Sequence, residues 1–327
     1  MTQPRKRLID LNTTPYYHCI SRCVRRAFLC GECHLTGKNY EHRKGWVQER
    51  IAFLSKVFAI DIASYAVMSN HYHLVIRVDA DKAKSWSDNA VIQRWGQLYS
   101  VPVVVKQAQK STATKAIKLM AKSMIDTWRS RLIDISWFMR CLNEFLARRA
   151  NTEDECTGRF WEGRFKSQAL LDQAAVLTAM AYVDLNPIRA GISKTPEKSV
   201  HTSIQQRIKL TKKEPVEHNI KLMTLSSNQS QRNKNSVAFS KQDYFDLVDW
   251  IGRVIRDDKR GFIDNKLPPI LNRLNLAPDG FIELLKREDN IAGLTVVGSP
   301  TALANLIENT ETCFIKGMSR TKRLYAT

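Results

Sequence analysis

Two short runs of β-suited residues, Ile60–Val67 and His71–Val78, stand on either side of Ser69-Asn70, a pair that favours a turn. They read as two strands joined by that turn. A third run, Tyr16–Arg22, precedes them. Between it and the pair lies Trp46–Phe58, where Val47, Ile51, Leu54 and Phe58 recur at helical spacing. The order β-α-β-β opens an α+β fold with a ferredoxin-like antiparallel sheet and helices on one face. Gly163–Leu171 reads as a further strand. Asp172 is placed to cap the next helix, which runs to about Leu185 and stops at Pro187, with Val176, Ala179 or Met180, and Val183 as its core stripe.

From about 80 to 150 the pattern turns helical. Ile117, Met120, Met124 and Trp128 form an apolar stripe, with Lys115, Lys118, Lys122 and Arg129 as a basic stripe beside it. That basic stripe reads either as a solvated face or as a phosphate-tracking one. A second helix over Trp137–Ala147 packs Trp137, Cys141, Leu142 and Phe145. Ser226–Ser236 holds almost no apolar residues and reads as a linker. Beyond it, Tyr244, Leu247, Val248, Ile251 and Val254 share one helical face, and Pro268-Pro269 and Pro300 punctuate the rest of the C-terminal region. The expected organisation is a domain over 1–195 with a helical insertion at about 80–155, a linker region over 196–238, and a small C-terminal helical accessory domain over 239–327.

The 327 residues suit two domains, and 51 lysines and arginines against 32 acidic residues give a net charge of +19. A chain this basic usually has a polyanionic partner, nucleic acid first, although charge alone is also compatible with simple solubility. No stretch approaches the roughly 18 to 20 consecutive apolar residues of a membrane span. Leu8–Tyr17 is too polar for a signal-peptide core. The expectation is a cytoplasmic protein with no membrane partner. Seven cysteines, an odd and scattered set, speak against a secreted disulfide scaffold. Cys19, Cys23, Cys30, Cys33 and His34 lie close together, and Cys30-Gly-Glu-Cys33-His34 fits the letter of a haem-attachment pattern. Haem attachment requires export, and no second pair follows at zinc-finger spacing. Reduced, partly buried thiols are the favoured reading and a metal site the alternative.

Three segments carry chemistry. In Asn70-His71-Tyr72-His73-Leu74-Val75-Ile76, strand geometry projects His71 and His73 together and turns Tyr72, Leu74 and Ile76 to the other face. Two such imidazoles can hold one divalent ion with a third ligand from elsewhere, or are polar surface. In Tyr182-Val-Asp-Leu-Asn186-Pro187, Tyr182 and Asn186 are four apart and share a helix face. The alternative is a ring packed at the helix edge with Asn186 as a C-cap. A residue before proline is biased away from helical geometry, which shifts Asn186 off the ideal face. In the third segment Arg159, Phe160, Trp161, Arg164, Phe165 and Lys166 interleave cations and rings, as single-strand-binding surfaces do, unless the rings are core.

Together these segments resemble the HUH single-tyrosine transposases, in particular the insertion-sequence-200-like and REP-associated tyrosine transposase group. The resemblance rests on Met68-Ser69-Asn70-His71-Tyr72-His73, on Trp161-Glu-Gly-Arg-Phe165, and on Tyr182-Val-Asp-Leu-Asn186-Pro187-Ile-Arg189-Ala190-Gly191. It covers roughly residues 12 to 195 in the family's order. Tyr72 stands where a bulky hydrophobic residue is usual, the segment from about 80 to 150 is longer than in the smallest members, and the C-terminal region lies outside the shared core.

The resemblance implies a bacterial enzyme that cuts and rejoins single-stranded, hairpin-bearing DNA. His71 and His73 would hold Mg²⁺ or Mn²⁺ with Asn186 as third ligand. Tyr182 would be the nucleophile, leaving a 5′-phosphotyrosyl enzyme and a free 3′-hydroxyl. Arg22, Arg25 and Arg26 would meet a hairpin stem, Arg159, Trp161, Arg164 and Lys166 the single strand, and Arg189 a phosphate. A homodimer stays open as an assembly. Two other readings compete. A hairpin-DNA-binding protein of the same descent, with a domesticated, non-transposing role, would look alike in charge and fold, but the intact His71, His73, Tyr182 and Asn186 speak against lost catalysis. A metal-dependent phosphoesterase acting on small molecules leaves the charge unexplained.

Overall fold

The computed structural model describes residues 8–24, 30–31, 37–227, 236–255 and 294–310, with 318, 321, 324 and 325. In chain order, β1 (Tyr16–Arg22) and α1 (Arg43–Val57) lead to the hairpin β2 (Ile60–Val67) and β3 (His71–Val78). The helical insertion follows as α2 (Ala80–Lys84), α3 (Asp88–Gly96), α4 (Val103–Ala108), α5 (Lys115–Arg131) and α6 (Ile135–Glu153). Next come β4 (Lys166–Leu170), α7 (Gln173–Asp184), the single turn α8 (Asn186–Arg189) and α9 (Ser203–Thr211). Short strands β5 (Thr224–Leu225) and β6 (Ser236–Val237) pair with each other. The last elements are α10 (Lys241–Ile255), β7 (Val296–Val297) and α11 (Pro300–Thr310).

The class is α+β. The main sheet runs β2-β3-β1-β4-β7, antiparallel except for β7, which lies parallel to β4. On β3 the side-chain alternation divides two cores. Tyr72, Leu74 and Ile76 join Val47, Ile51 and Leu54 of α1 in one apolar cluster. Val75 joins α7 and α10 in the other. The expectation of helices on one face is therefore corrected: α1 covers one face and α7 the other. Ile51 and Leu54 are fully buried, and truncating either to Ala would cost about 2–5 kcal/mol.

Side-chain caps start most of the helices: Thr114 accepts from the Ile117 amide, Asp134 from the Ser136 and Trp137 amides, and Asp172 from the Ala175 amide. In the insertion, Trp95 stacks on Trp128 with ring centroids 5.5 Å apart, and Trp137 and Tyr99 close round them. The buried stripe of α5 is Ala121, Ile125 and Trp128, whereas Met120 is 62% exposed. Trp128 belongs to both the expected and the observed line, and Met124 packs against the same core. Part of the basic stripe is engaged by neighbours within the insertion. Lys122 bridges Asp88 and Asp126, and Arg129 donates to the Ala83 and Trp86 carbonyls and to Asp88.

α7 has no exposed face. Every residue from Ala174 to Asp184 is buried, so the expected stripe is corrected to a helix covered all round. Its second cover comes from the C-terminal region. Tyr244, Leu247, Val248 and Ile251 of α10 lie in the same apolar cluster as α7. Asp172, besides capping α7, accepts from the Ser299 amide at 2.6 Å and the Tyr325 hydroxyl at 2.8 Å. Most of the expected linker, 228–235, lies outside the described residues, as do Pro268-Pro269, Cys33 and His34. Cys19, Cys23 and Cys30 are buried thiols outside any disulfide, and burial pushes the Cys30 thiol up. Among the described residues no helix is long and apolar enough to cross a membrane.

Candidate functional site

The polar face of β3 opens into the α7 side of the sheet. His71 and His73 both project there, with ring centroids 4.8 Å apart, and both are buried. α7 ends at Leu185 (φ −91°, ψ 0°), and Asn186 begins a new turn with Pro187 as its second residue. The proline bias thus acts as a break of one residue, and it leaves Asn186 aimed at the histidines. Asn186 Nδ2 lies 2.8 Å from His73 Nε2, across 113 residues of sequence. The Tyr182 ring is edge-on to His73 at 5.7 Å. Arg189, at the end of α8, places its guanidinium carbon 3.9 Å above the Tyr182 ring centroid. Tyr182, His71, His73, Asn186 and Arg189 are therefore brought together.

Two further side chains complete the arrangement, and neither was among the sequence candidates. His18 on β1 places Nε2 2.9 Å from His73 Nδ1, with stacked rings 5.1 Å apart. Gln168 on β4 sits opposite His18 in the strand register and places Oε1 3.2 Å from His18 Nδ1. Gln168 Nε2 donates to the Leu294 carbonyl at 3.1 Å. A signal for His18 exists in the alternation of Tyr16–Arg22, which sets it on the same side as Ile20; its meaning depends on pairing with β3, which local sequence does not encode.

Burial sets the charge state of the histidines. It lowers His71 to about 3, aided by Arg22 and Arg189, and lowers His18 to about 4. It lowers His73 well below the ordinary histidine value, with His71, His18, Arg189 and Arg22 adding to the effect. All three are neutral imidazoles near pH 7. His71 Nδ1 lies 2.5 Å from Asn70 Oδ1. An amide oxygen only accepts, so His71 carries its proton on Nδ1 and its lone pair on Nε2. Two neutral imidazole nitrogens and an amide suit a divalent ion that keeps positions for water or phosphate oxygen. Among the described residues no group of three or more His, Cys, Asp or Glu is arranged for metal, so such a set depends on the Asn186 amide.

A pocket of about 240 Å³ opens beside these groups, lined by Asn70, His71, Asn186 and Arg189 among others. Tyr182 is fully buried, its ring under the Arg189 guanidinium that borders this pocket. Asp184, the last residue of α7 before the break, accepts from the Ser203 hydroxyl, the Ile204 amide at 3.0 Å and the Tyr244 hydroxyl at 2.5 Å. Burial raises Asp184 to about 6 against the pull of those donors.

The remaining sequence candidates divide between surface and core. Arg22 is exposed and faces His71 across the β1–β3 register. Arg159, Arg164 and Lys166 are exposed, while Phe160, Trp161 and Phe165 are core. The Trp161 ring lies edge-on to Tyr72 at 5.7 Å, and its indole nitrogen donates to the Asn143 carbonyl at 2.8 Å. The Glu162 amide donates to the Arg22 carbonyl at 2.9 Å, so this segment runs beside the end of β1 and sets its cations near Arg22. Arg25 and Arg26 lie outside the described residues.

No protein-family model matches the chain, and no curated protein matches it. Among solved structures, a REP-associated tyrosine transposase bound to a REP hairpin is similar at 10% sequence identity and a TM-score of 0.38, over 72% of this chain and 97% of that one.

Proposed function

We propose that this chain is a single-tyrosine strand transferase that cleaves and rejoins single-stranded, hairpin-bearing DNA. The observation that carries the reading is the convergence of Tyr182 and Asn186 on His73, bringing together chemically apt side chains from two segments 113 residues apart. His71, His73 and Asn186 would hold Mg²⁺ or Mn²⁺. When bound, the ion supplies Lewis-acid polarisation of the scissile phosphate.

The Tyr182 oxygen attacks phosphorus and the bond to the 3′ oxygen breaks. The phenolic proton leaves, and the 3′ oxygen takes one up as a hydroxyl. The 5′ phosphate stays on Tyr182. Attack by a 3′-hydroxyl reverses these steps, so strands exchange without ATP. Arg189 lines the pocket and covers the Tyr182 ring. An entering phosphate offers its guanidinium a bidentate partner, which would draw the cation off the ring and admit the nucleophile. Arg22, Arg159, Arg164 and Lys166 supply exposed charge for the backbone.

A second reading, hairpin binding without cleavage, draws on the complete burial of Tyr182. One experiment separates the two. Labelled single-stranded hairpin DNA is incubated with Mn²⁺, denatured and run on a gel. Wild type should carry label with the protein, and Tyr182→Phe should not. Binding without any adduct in wild type would favour the second reading. An adduct that persists in Tyr182→Phe would move the nucleophile elsewhere.

A further inference from the structure

We infer that His18 and Gln168 are positioning residues for His73: they decide which of its ring nitrogens carries the proton and so hold the Nε2 lone pair ready for a divalent ion. The inference rests on the proposed metal site and extends it to residues outside the ligand set.

Donors and acceptors fix the direction of each bond. The Leu294 carbonyl can only accept, so Gln168 must turn its NH₂ toward it and its oxygen toward His18. That oxygen also only accepts, so His18 carries a proton on Nδ1. A neutral imidazole protonated there has its lone pair on Nε2, and His73 Nδ1, 2.9 Å away, must donate to it. His73 then presents its lone pair on Nε2, where the Asn186 NH₂ now donates. Every link runs in one direction. Reversing it would turn the Gln168 NH₂ toward His18 and break the bond to Leu294.

His18, His73 and Gln168 are all buried, so water does not scramble the order. A neutral imidazole in water favours the proton on Nε2, the nitrogen a metal needs bare. Without the relay, His73 would lose the acceptor that holds its proton on Nδ1, leaving only the Asn186 NH₂ to oppose that default. Partners of this kind fix ring orientation and ligand basicity in metal sites generally. The relay ends on Leu294, two residues before β7, so the C-terminal region anchors the setting of a β3 histidine.

The test uses the full chain. Mn²⁺ affinity is measured by electron paramagnetic resonance, and the His73 tautomer by ¹⁵N NMR of the metal-free protein. His18→Leu removes the acceptor for His73 and should weaken Mn²⁺ binding about 10–100-fold, the usual size of a lost outer partner. It should also move the His73 proton from Nδ1 to Nε2. His18→Gln restores an acceptor oxygen at the Nε2 position and should return both readouts close to wild type. Gln168→Leu probes the same relay from its far end, should His18→Leu fail to fold, and should shift the tautomer in the same direction. Unchanged Mn²⁺ affinity and tautomer in the folded leucine variants, with binding lost in His73→Ala, would overturn the positioning role alone. Wild-type Mn²⁺ binding in His73→Ala would remove the metal site itself, and this inference with it.

Discussion

Tyr244 donates its hydroxyl to Asp184 across 2.5 Å, tying α10 to the helix that carries Tyr182. The carboxylate is completely buried and raised to about 6 from an ordinary 3.8. An acid raised by folding is protonated in the folded state while already ionised in the unfolded chain. Its full stability is therefore present below pH 4 and is lost as pH rises from about 4 through 6. About two units correspond to about 3 kcal/mol. Asp184→Asn should abolish this loss, so the stability difference between wild type and variant should shift by that amount between pH 4 and 7. Urea melts at several pH values measure it. Parallel pH profiles would mean that Asp184 does not titrate in this window.

The packing of α10 bears on a truncation. Tyr244, Leu247, Val248 and Ile251 are buried in the α7 cluster. At ~1.5–3 kcal/mol each, the four contribute about 6–12 kcal/mol, comparable to the whole stability of a typical domain. A chain ending at Ser230 should lose cooperative unfolding and Mn²⁺ affinity together, since it lacks both this cover and the Leu294 anchor. Calorimetry reads the first and Mn²⁺ titration the second. A truncated chain that melts sharply and still cleaves hairpin DNA would show that residues past 239 form a separable accessory domain.

The legible parts of the fold were those with a local signal. β1, β2 and β3 stand out as runs of β-suited residues, β2 and β3 on either side of a turn pair, and their ends coincide with the observed strands. His71 and His73 share a face because side chains alternate along a strand. The stripe read on α7, Val176, Ala179 or Met180, and Val183, is buried but understates the cover, because sheet and α10 enclose the helix from both sides and a period marks only a half-buried element. Local sequence did not single out His18 or Gln168, because their meaning lies in the pairing of β1 with β3 and, across 150 residues, with β4. Trp161, Phe160 and Phe165 looked the same as stacking platform or core; the indole bond to Asn143 shows how the ring is held inside.

That placement separates two kinds of variant in the Arg159–Lys166 segment. Replacing Arg159, Arg164 or Lys166 by Ala should leave melting almost unchanged. Each should flatten the salt dependence of hairpin binding by a slope of about 1, one released counterion per lost phosphate contact. Trp161→Ala should instead cost about 3–5 kcal/mol of stability through its cavity, with the salt slope intact. Filter binding across a salt series, paired with thermal melts, distinguishes the two. A Trp161→Ala protein that melts like wild type but binds single strands weakly would make the indole a base contact after all.

Arg189 allows the exposure of Tyr182 and its proposed reactivity as a nucleophile to be pulled apart. Its guanidinium lies 3.9 Å above the Tyr182 ring and also borders the pocket. As a cover it lies over the Tyr182 ring; in the proposed reaction its cation would favour the charge that develops on phosphate. Arg189→Ala should make Tyr182 more accessible, read as faster nitration of that ring by mass spectrometry. The same variant should form the DNA adduct about 100-fold more slowly, because a donor to the transition-state charge is gone. Arg189→Lys keeps the charge without the planar fork and should fall between the two. Faster adduct formation in Arg189→Ala would reverse the assignment: the arginine would then act as a lid whose removal matters more than its charge.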